Sequence, residues 1–222
     1  MKLAPFRAVI FDCDGVLVES ENLGLRSLQL ALQDAGVDRP LGMLTRFSGR
    51  SHHETLAELE TECGLPLRDN GAAGRMDEHY MNLVKSEGLH PCSGVPQLLC
   101  WLTANHIPFS LASSGPRRKV LFSLESAGLS ESFPHFICGD DVTKAKPAPD
   151  PYLAAAALVG VNPADCLAIE DAPNGIRSAL AAGMQVVAVT TTFKADVLTD
   201  ADLVVDSLSD LANYFNPAER LN

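Results

Sequence analysis

Short apolar runs recur along the chain, and longer segments with helical periodicity separate them. The runs lie at 8–11, 108–112, 136–138, 166–169, 186–189 and 203–205. Continuous apolar runs of this length are typical of strands that are buried on both faces of a parallel sheet. The segments between them carry prolines near their starts and glycines near their ends, as helices do. The alternation predicts a doubly wound α/β fold with a parallel sheet.

The interval after the first predicted strand departs from this alternation because it is long, polar and helical in pattern. Helices are predicted there at 21–35, 51–62 and 74–86. The insertion of such a block between the first strand and the next predicts a second, smaller domain.

The two predicted domains meet in segments of turn-forming composition. The Rossmann-like α/β core is expected to comprise residues 1–17 and 91–222, and a small α-helical cap residues 18–90. The connections fall near 16–20 and near 88–93, where the sequence GLHPCSG has the composition of a hinge.

Composition and charge narrow the class of protein. The formal net charge of -11 over 222 residues argues against binding to nucleic acid or to an anionic membrane surface. Since the N-terminus lacks a secretory pattern and no apolar stretch could span a bilayer, we expect a cytoplasmic protein, and we expect it to be a monomer. The six cysteines form no Cys-x-x-Cys pair and are expected to be reduced and mostly buried.

Two aspartates end the first predicted strand, in the sequence VIFDCDGVLVES at 9–20. An extended backbone directs residues two apart to the same side, so Asp12 and Asp14 should repel each other unless a cation pairs with them. Ligands of open α/β sheets bind outside the carboxyl ends of strands, which favours a functional role for both. A simple turn is the alternative interpretation. A calcium loop is disfavoured because Gly15 stands at the fourth loop position rather than the sixth.

Polar residues also end the later predicted strands. Ser113 and Ser114 follow the second strand, Lys146 lies in a proline-rich loop after the third, and Glu170 and Asp171 follow the fourth. Taken singly, these could be a helix cap, a surface lysine and a solvated acid pair. Together they place carboxylates, hydroxyls and a cation at one edge of the sheet, and carboxylate oxygens are ligands that Mg²⁺ prefers. The pattern therefore predicts a magnesium site that relieves the repulsion between the two aspartates.

The order of these segments resembles a known family. FDCDGVLVES, LASSG, KAKPAPD and IEDAPNG look like the four motifs of the haloacid dehalogenase-like superfamily, in the branch with a helical cap inserted after the first motif. The resemblance covers almost the whole chain and is strongest to the β-phosphoglucomutase-like group of sugar-phosphate phosphatases and mutases. Each motif is weak alone, but their order, spacing and placement at strand ends are jointly specific.

The resemblance implies a role for each reacting group. Asp12 would be the nucleophile that forms an aspartyl-phosphate, a strategy that carboxylates are known to support. Asp14 would be the general acid and base for the leaving alkoxide and for the attacking water. Lys146 would neutralise charge on Asp12 and on the transferred phosphoryl group.

The resemblance also implies the groups that bind phosphate and metal. Ser113 would bind the phosphoryl oxygens together with the amides of Ser114 and Gly115. Mg²⁺ would be held by Asp12, by the main-chain carbonyl of Asp14 and by Asp171, while Glu170 would be either a further ligand or a group that supports the ligands.

Departures from the family's patterns narrow the activity. The second aspartate, Asp14, argues against dehalogenation, and the absence of lysine between Lys2 and Lys85 argues against phosphonate hydrolysis by a cap lysine. The mutases of the group carry a cap histidine about twelve residues after the nucleophile, where this chain has Gly24. That difference places mutase activity in doubt.

The cap sequence RFSGRSHHE at 46–54 is the segment most suggestive of substrate recognition. Arg50 and His52 could hydrogen-bond a sugar or acid group that faces Asp12; alternatively, the histidines only cap the next helix. The prediction is a Mg²⁺-dependent phosphatase that acts on a sugar phosphate or sugar-acid phosphate. A phosphohexomutase is the runner-up, and a protein that binds a phosphorylated metabolite without catalysis is a third hypothesis.

Overall fold

The structure is a computed structural model that describes residues 3–215. Its strands are β1 (Ala8–Phe11), β2 (Phe109–Leu111), β3 (Cys166–Glu170), β4 (Gln185–Val189) and β5 (Leu203–Val205). Its α-helices are α1 (Glu21–Asp34), α2 (Leu41–Leu44), α3 (His52–Cys63), α4 (Ala72–Glu87), α5 (Val95–Ala104), α6 (Arg117–Ser126), α7 (Asp150–Val159), α8 (Pro173–Ala181) and α9 (Leu208–Phe215). Within the described range, no helix is long and apolar enough to cross a membrane.

The strands form one parallel sheet in the order β2-β1-β3-β4-β5, which confirms the predicted α/β class. β1 lies between β2 and β3, so Val9 pairs with Phe109 on one side and with Leu167 on the other. The strand order changes direction at β1, and such a switch point leaves a crevice at the carboxyl ends of the strands.

Both faces of the sheet are buried, as continuous apolar strands require. Successive residues of β1 alternate between two hydrophobic clusters: Val9 and Phe11 belong to one, and Ala8 and Ile10 to the other. Helices cover each cluster, so the sheet is the middle layer of the core.

The segment 136–138, predicted as a strand, is instead an isolated bridge. The Ile137 amide donates to the Leu111 carbonyl and the Ser113 amide donates to the Ile137 carbonyl, each at 2.9 Å. Pro134 precedes the segment without an amide proton, and the chain turns into a 3₁₀ helix at Gly139–Asp141 directly after it. The run is therefore too short to continue the ladder.

The inserted helices form where the pattern predicted them, within about two residues at each end, as α1, α3 and α4. They have a hydrophobic cluster of their own, which includes Leu32, Phe47, Leu59 and Met76. The short helix α2 and a 3₁₀ turn at Thr45–Phe47 connect α1 to α3 and were not predicted.

The two connections between the helices and the sheet run side by side. The Glu19 amide donates to the His90 carbonyl at 3.0 Å, and the Cys92 amide donates to the Leu17 carbonyl at 3.0 Å. This pairing of 17–19 with 90–92 supports the predicted division into a core (1–17 and 91–222) and a cap (18–90). The division stays a prediction, and a measurement of motion between the two parts would test it.

Candidate active site

The residues predicted for the site line one pocket between the carboxyl edge of the sheet and the inserted helices. They are Asp12, Asp14, Arg50, His52, Ser113, Ser114, Gly115, Lys146, Glu170 and Asp171. Asp12 directly follows β1, Ser113 lies two residues beyond β2, and Glu170 ends β3. Because these strands are parallel neighbours, their ends meet at the same edge and bring distant segments of sequence together.

Lys146 joins Asp12 to the acid pair after β3. Its Nζ donates to Asp12 Oδ1 and to Glu170 Oε1, both at 2.6 Å, and its side chain is only 3% exposed. The Tyr152 hydroxyl also donates to Glu170 Oε1, at 2.7 Å. Tyr152 was not predicted as part of the site; it lies in the first turn of α7, and the sequence showed only an apolar helix there.

The carboxyl groups at this edge of the sheet have raised pKa values because they are buried beside too few cations. Burial raises the pKa of Asp12 to about 7, although Lys146 opposes the shift, and the Glu170 carboxylate adds to it. The pKa of Asp171 lies well above its usual value because of burial and of its proximity to Asp12 and Glu170. Burial lowers the pKa of Lys146, but the carboxylates of Asp12 and Glu170 outweigh burial and raise it.

The chemistry of the donors fits a hard divalent cation. Carboxylate oxygens of Asp12, Glu170 and Asp171 lie within 4.8 Å of one another, and all three residues are buried. The acids here outnumber the lysines, so a cation would supply charge that the protein lacks. Thr192 Oγ1 donates a short hydrogen bond to Asp171 Oδ2, which orients that carboxylate.

The two oxygens of Glu170 already have partners. Besides Lys146 and Tyr152 at Oε1, Oε2 accepts the amides of Asp171 at 3.1 Å and Ala172 at 3.4 Å. Of the two roles left open for Glu170, these bonds favour the one in which it holds Lys146 and the loop after β3.

Asp14 has a separate cation that was not predicted. Lys119 Nζ donates to Asp14 Oδ2 at 2.9 Å, and the Ser20 hydroxyl donates a short hydrogen bond to Oδ1. Burial would raise the pKa of Asp14, but Lys119 and then Ser20 outweigh it and lower the pKa. Each of the two neighbouring aspartates is thus paired with its own lysine.

A sequence signal for Lys119 exists in the pattern of α6. The buried residues of this helix are Lys119, Val120, Ser123 and Leu124, which is the spacing of one helical face. A lysine within that apolar face could have been singled out from the charged run PRRK.

Ser113 is buried at the end of the second strand, and its Oγ accepts the Gly115 amide at 3.0 Å. The turn it closes comes before Pro116, and α6 begins only at Arg117. Ser113 and Ser114 thus lie just before this helix, and the phosphate-binding role of Ser113, Ser114 and Gly115 stays a prediction for this turn.

The cap contributes Arg50 and His52 to the pocket. Arg50 pairs with Glu58 at 2.8 Å, and Ser51 caps α3 through a reciprocal bond with Glu54, so His52 is not the cap. Burial, and secondarily Lys119, lowers the pKa of His52 to about 4, which leaves its ring neutral near pH 7. His53 contacts Arg68 instead and does not line the pocket.

The cap loop sits directly on the loop after β3. Gly49 has a φ of +71°, and a Cβ there would lie 2.5 Å from the Ala172 Cβ. Only glycine allows both the backbone conformation and this close approach. The pocket is therefore closed on one side by contact between cap and core.

Fold and site together define a doubly wound α/β enzyme with a carboxylate-rich centre under a helical cap. Residues 9–189 match the family model described as haloacid dehalogenase-like hydrolase, and the chain belongs to this family.

Similar proteins with curated names include a probable pseudouridine-5'-phosphatase of Drosophila melanogaster, 33% identical, with 90% of this chain and 89% of that protein covered. The β-phosphoglucomutase of Bacillus subtilis is 32% identical, with 92% and 91% covered. A hydrolase from Pseudomonas syringae has a similar fold, with a TM-score of 0.86 at 24% identity over 96% of this chain and 99% of that one.

Proposed function

We propose that the protein is a Mg²⁺-dependent phosphatase that hydrolyses a small phosphorylated metabolite through an aspartyl-phosphate on Asp12. That it is a phosphoric monoester hydrolase follows from its family and from the phosphatases among its relatives. The observation that carries the proposal is the pair of aspartates, each next to its own lysine, at the edge of the sheet.

In the first step, a carboxylate oxygen of Asp12 attacks phosphorus and the bond from phosphorus to the alkoxide breaks. Asp14 gives its proton to that alkoxide, so the alcohol leaves neutral. Lys146 donates to Asp12 at 2.6 Å and lies where negative charge accumulates during transfer.

In the second step, Asp14 accepts a proton from water as the water oxygen attacks phosphorus. The bond between phosphorus and the Asp12 oxygen breaks, and inorganic phosphate and free Asp12 result. One carboxyl thus serves as acid and then as base, and the protein returns to its starting protonation.

Asp12, Asp171 and the main-chain carbonyl of Asp14 would hold Mg²⁺, with Glu170 behind them. When bound, the ion would neutralise phosphoryl charge and keep Asp12 ionised. The donor set supports this, because buried carboxylate oxygens are the ligands of hard cations.

The substrate class is inferred to be a sugar phosphate or sugar-acid phosphate. The relatives' names refer to sugar-containing phosphate esters, and the pocket offers Arg50, His52, Ser48 and Glu21 for hydroxyl and acid groups. Gly24 lines the pocket where the mutases of the group have a histidine, and it brings no side chain, which supports hydrolysis over isomerisation.

A panel of sugar phosphates and sugar-acid phosphates with Mg²⁺ tests the proposal through release of inorganic phosphate. Formation of an isomeric hexose phosphate without release would instead establish a mutase. Thermal stabilisation by panel members with no turnover of any ester would establish a binding protein without catalysis. Light scattering on the same sample tests the predicted monomer.

A further inference from the structure

Lys119 is a buried charged group next to Asp14 that takes no part in the proposed chemical steps. Lys146 already pairs with Asp12, whereas Lys119 comes from α6 and pairs with Asp14. Its side chain is 11% exposed, so its ammonium is held away from bulk water. A buried lysine carries a cost of desolvation that a surface lysine avoids, and such groups tend to mark functional sites.

Two neighbours hold the Lys119 ammonium in position: the ring of Tyr80 and the carboxylate of Asp14. Nζ lies 4.7 Å from the centre of the Tyr80 ring, and the Tyr80 hydroxyl is 2.9 Å from Ser123 Oγ. Asp14 Oδ2 is, within residues 3–215, the hydrogen-bond acceptor of Nζ. An ammonium has three donors, so after Asp14 and the ring face a donor stays available to the pocket that Lys119 lines.

The position of Asp14 indicates which part of the substrate lies near the free donor of Lys119. To pass a proton, the leaving oxygen must come within hydrogen-bond distance of the Asp14 carboxyl. An oxygen bonded to Oδ2 would lie within about 6 Å of Lys119 Nζ, since Nζ is itself 2.9 Å from Oδ2. A substituent on the carbon next to the ester carbon would lie in the space between this leaving oxygen and Lys119 Nζ.

We propose that Lys119 is a specificity-determining residue that donates a hydrogen bond to an oxygen substituent on the carbon adjacent to the phosphoester carbon. This inference rests on the proposed function and adds to it, because it names which hydroxyl or carboxylate oxygen of the substrate is read. His52 and Arg50 line the pocket from the cap and would bind substrate groups that lie further from the phosphoester. The group that recognises the substituent next to the ester would come from the core helix α6, and the Tyr80 ring of the cap helps to position it.

Three phosphate esters of equal carbon number test this directly. In 2-hydroxypropyl phosphate the hydroxyl is on the adjacent carbon, in 3-hydroxypropyl phosphate it is one carbon further, and propyl phosphate has none. The wild-type protein is expected to hydrolyse the first with a kcat/KM about tenfold to a hundredfold above the other two, the usual effect of a hydrogen bond to a charged group.

Lys119→Met removes the donor and keeps the length of the side chain. This variant should bring the ratio of the first ester to propyl phosphate close to unity, while Lys119→Arg should keep most of it. Loss of the cation next to Asp14 should slow the hydrolysis of all three esters by the same factor, and that factor cancels in the ratio of their kcat/KM values. Lys85→Met is the matched control, because Lys85 is exposed and lies 6.0 Å from the Phe122 ring.

The outcomes separate the two proposals. No turnover of any ester, including p-nitrophenyl phosphate, would overturn the phosphatase assignment and this inference with it. Turnover with equal kcat/KM for the three esters would overturn only the role of Lys119, and so would a ratio unchanged in Lys119→Met. If Lys119→Met does not fold, the wild-type ratio and the Lys119→Arg ratio still decide.

Discussion

Asp12 and Asp14 stand two residues apart, yet their surroundings have opposite effects. Asp12 lies among acids that outnumber its lysine, and its pKa is raised to about 7, chiefly by burial. Asp14 faces Lys119 and Ser20, which outweigh burial and lower its pKa. Identical side chains on one strand end thus acquire different protonation from the elements that reach them.

The proposed chemistry needs the reverse order, with Asp12 ionised as nucleophile and Asp14 protonated as acid. A divalent cation beside Asp12 and Asp171 would favour ionised Asp12, and a phosphate dianion beside Asp14 would favour its protonation. In the proposed mechanism, a bound cation beside Asp12 and the substrate phosphate beside Asp14 would therefore set the protonation states that the first step needs.

The largest expected effect comes from removing Asp12, the proposed nucleophile. Asp12→Asn should lower Mg²⁺-dependent turnover by about 10⁴-fold or more, because a neutral amide replaces the carboxylate that would attack phosphorus. Steady-state phosphate release measures this, with circular dichroism as the test of folding. Asp69→Asn, at an exposed cap position, is the matched control, and turnover retained in folded Asp12→Asn would exclude Asp12 as nucleophile.

Asp14→Asn separates the two aspartates most sharply. Turnover of alkyl phosphates should fall about 10²–10⁴-fold, the usual contribution of a general acid. With p-nitrophenyl phosphate, whose leaving group needs no proton, the variant should release a stoichiometric burst of p-nitrophenol and then stall as the aspartyl-phosphate. Stopped-flow absorbance detects the burst; steady release at the wild-type rate would remove Asp14 from proton transfer.

A smaller effect is expected from changing Thr192, which orients Asp171 in the proposed metal site. Thr192→Val keeps the shape of the side chain and removes the hydroxyl that orients Asp171. Groups that orient metal ligands typically change affinity by about tenfold or more, so the Mg²⁺ dissociation constant should rise about tenfold in calorimetric titration. Thr190→Val, whose hydroxyl contacts Asp206 at 3.1 Å, should bind as the wild type does. Equal affinity in both variants would contradict the role of Thr192.

A further effect concerns the stability of the protein without metal. Since the pKa of Asp12 rises from 3.8 to about 7 on folding, the folded state binds more protons between these values. Stability should therefore fall as pH rises from about 4 to about 7, with a slope of at most about 1.4 kcal/mol per pH unit for this group. Urea unfolding in EDTA measures the slope.

The same titration in Asp12→Asn provides the comparison. Its slope should be shallower, with the part due to Asp171 retained, and Mg²⁺ should stabilise the wild type more than the variant at pH 8. Parallel curves for the two proteins would show that Asp12 is not shifted by folding.

Much of the fold could be predicted because it depends on local sequence, whereas the pairing of Lys146 with Asp12 was expected from the family resemblance. Buried parallel strands are apolar runs, and the runs 8–11, 108–112 and 166–169 are followed directly by Asp12, Ser113 and Glu170, which line the pocket. The helices of the insertion were predicted for the same reason, since their periodicity is local. The segment 136–138 was misjudged because an apolar run is needed for a strand but does not ensure a partner along its whole length.

By itself, therefore, the sequence determined which side chains come to the edge of the sheet, since parallel strands must end together. The meeting of Lys146 with Asp12 was expected from the family resemblance, and only the tertiary structure decided that Lys119 meets Asp14. Lys119 is 105 residues from Asp14 and Lys146 is 134 from Asp12, and those pairings depend on how α6 and the loop before α7 pack against the sheet. Charge pairing depends on distances of a few ångströms, which packing sets and local periodicity does not.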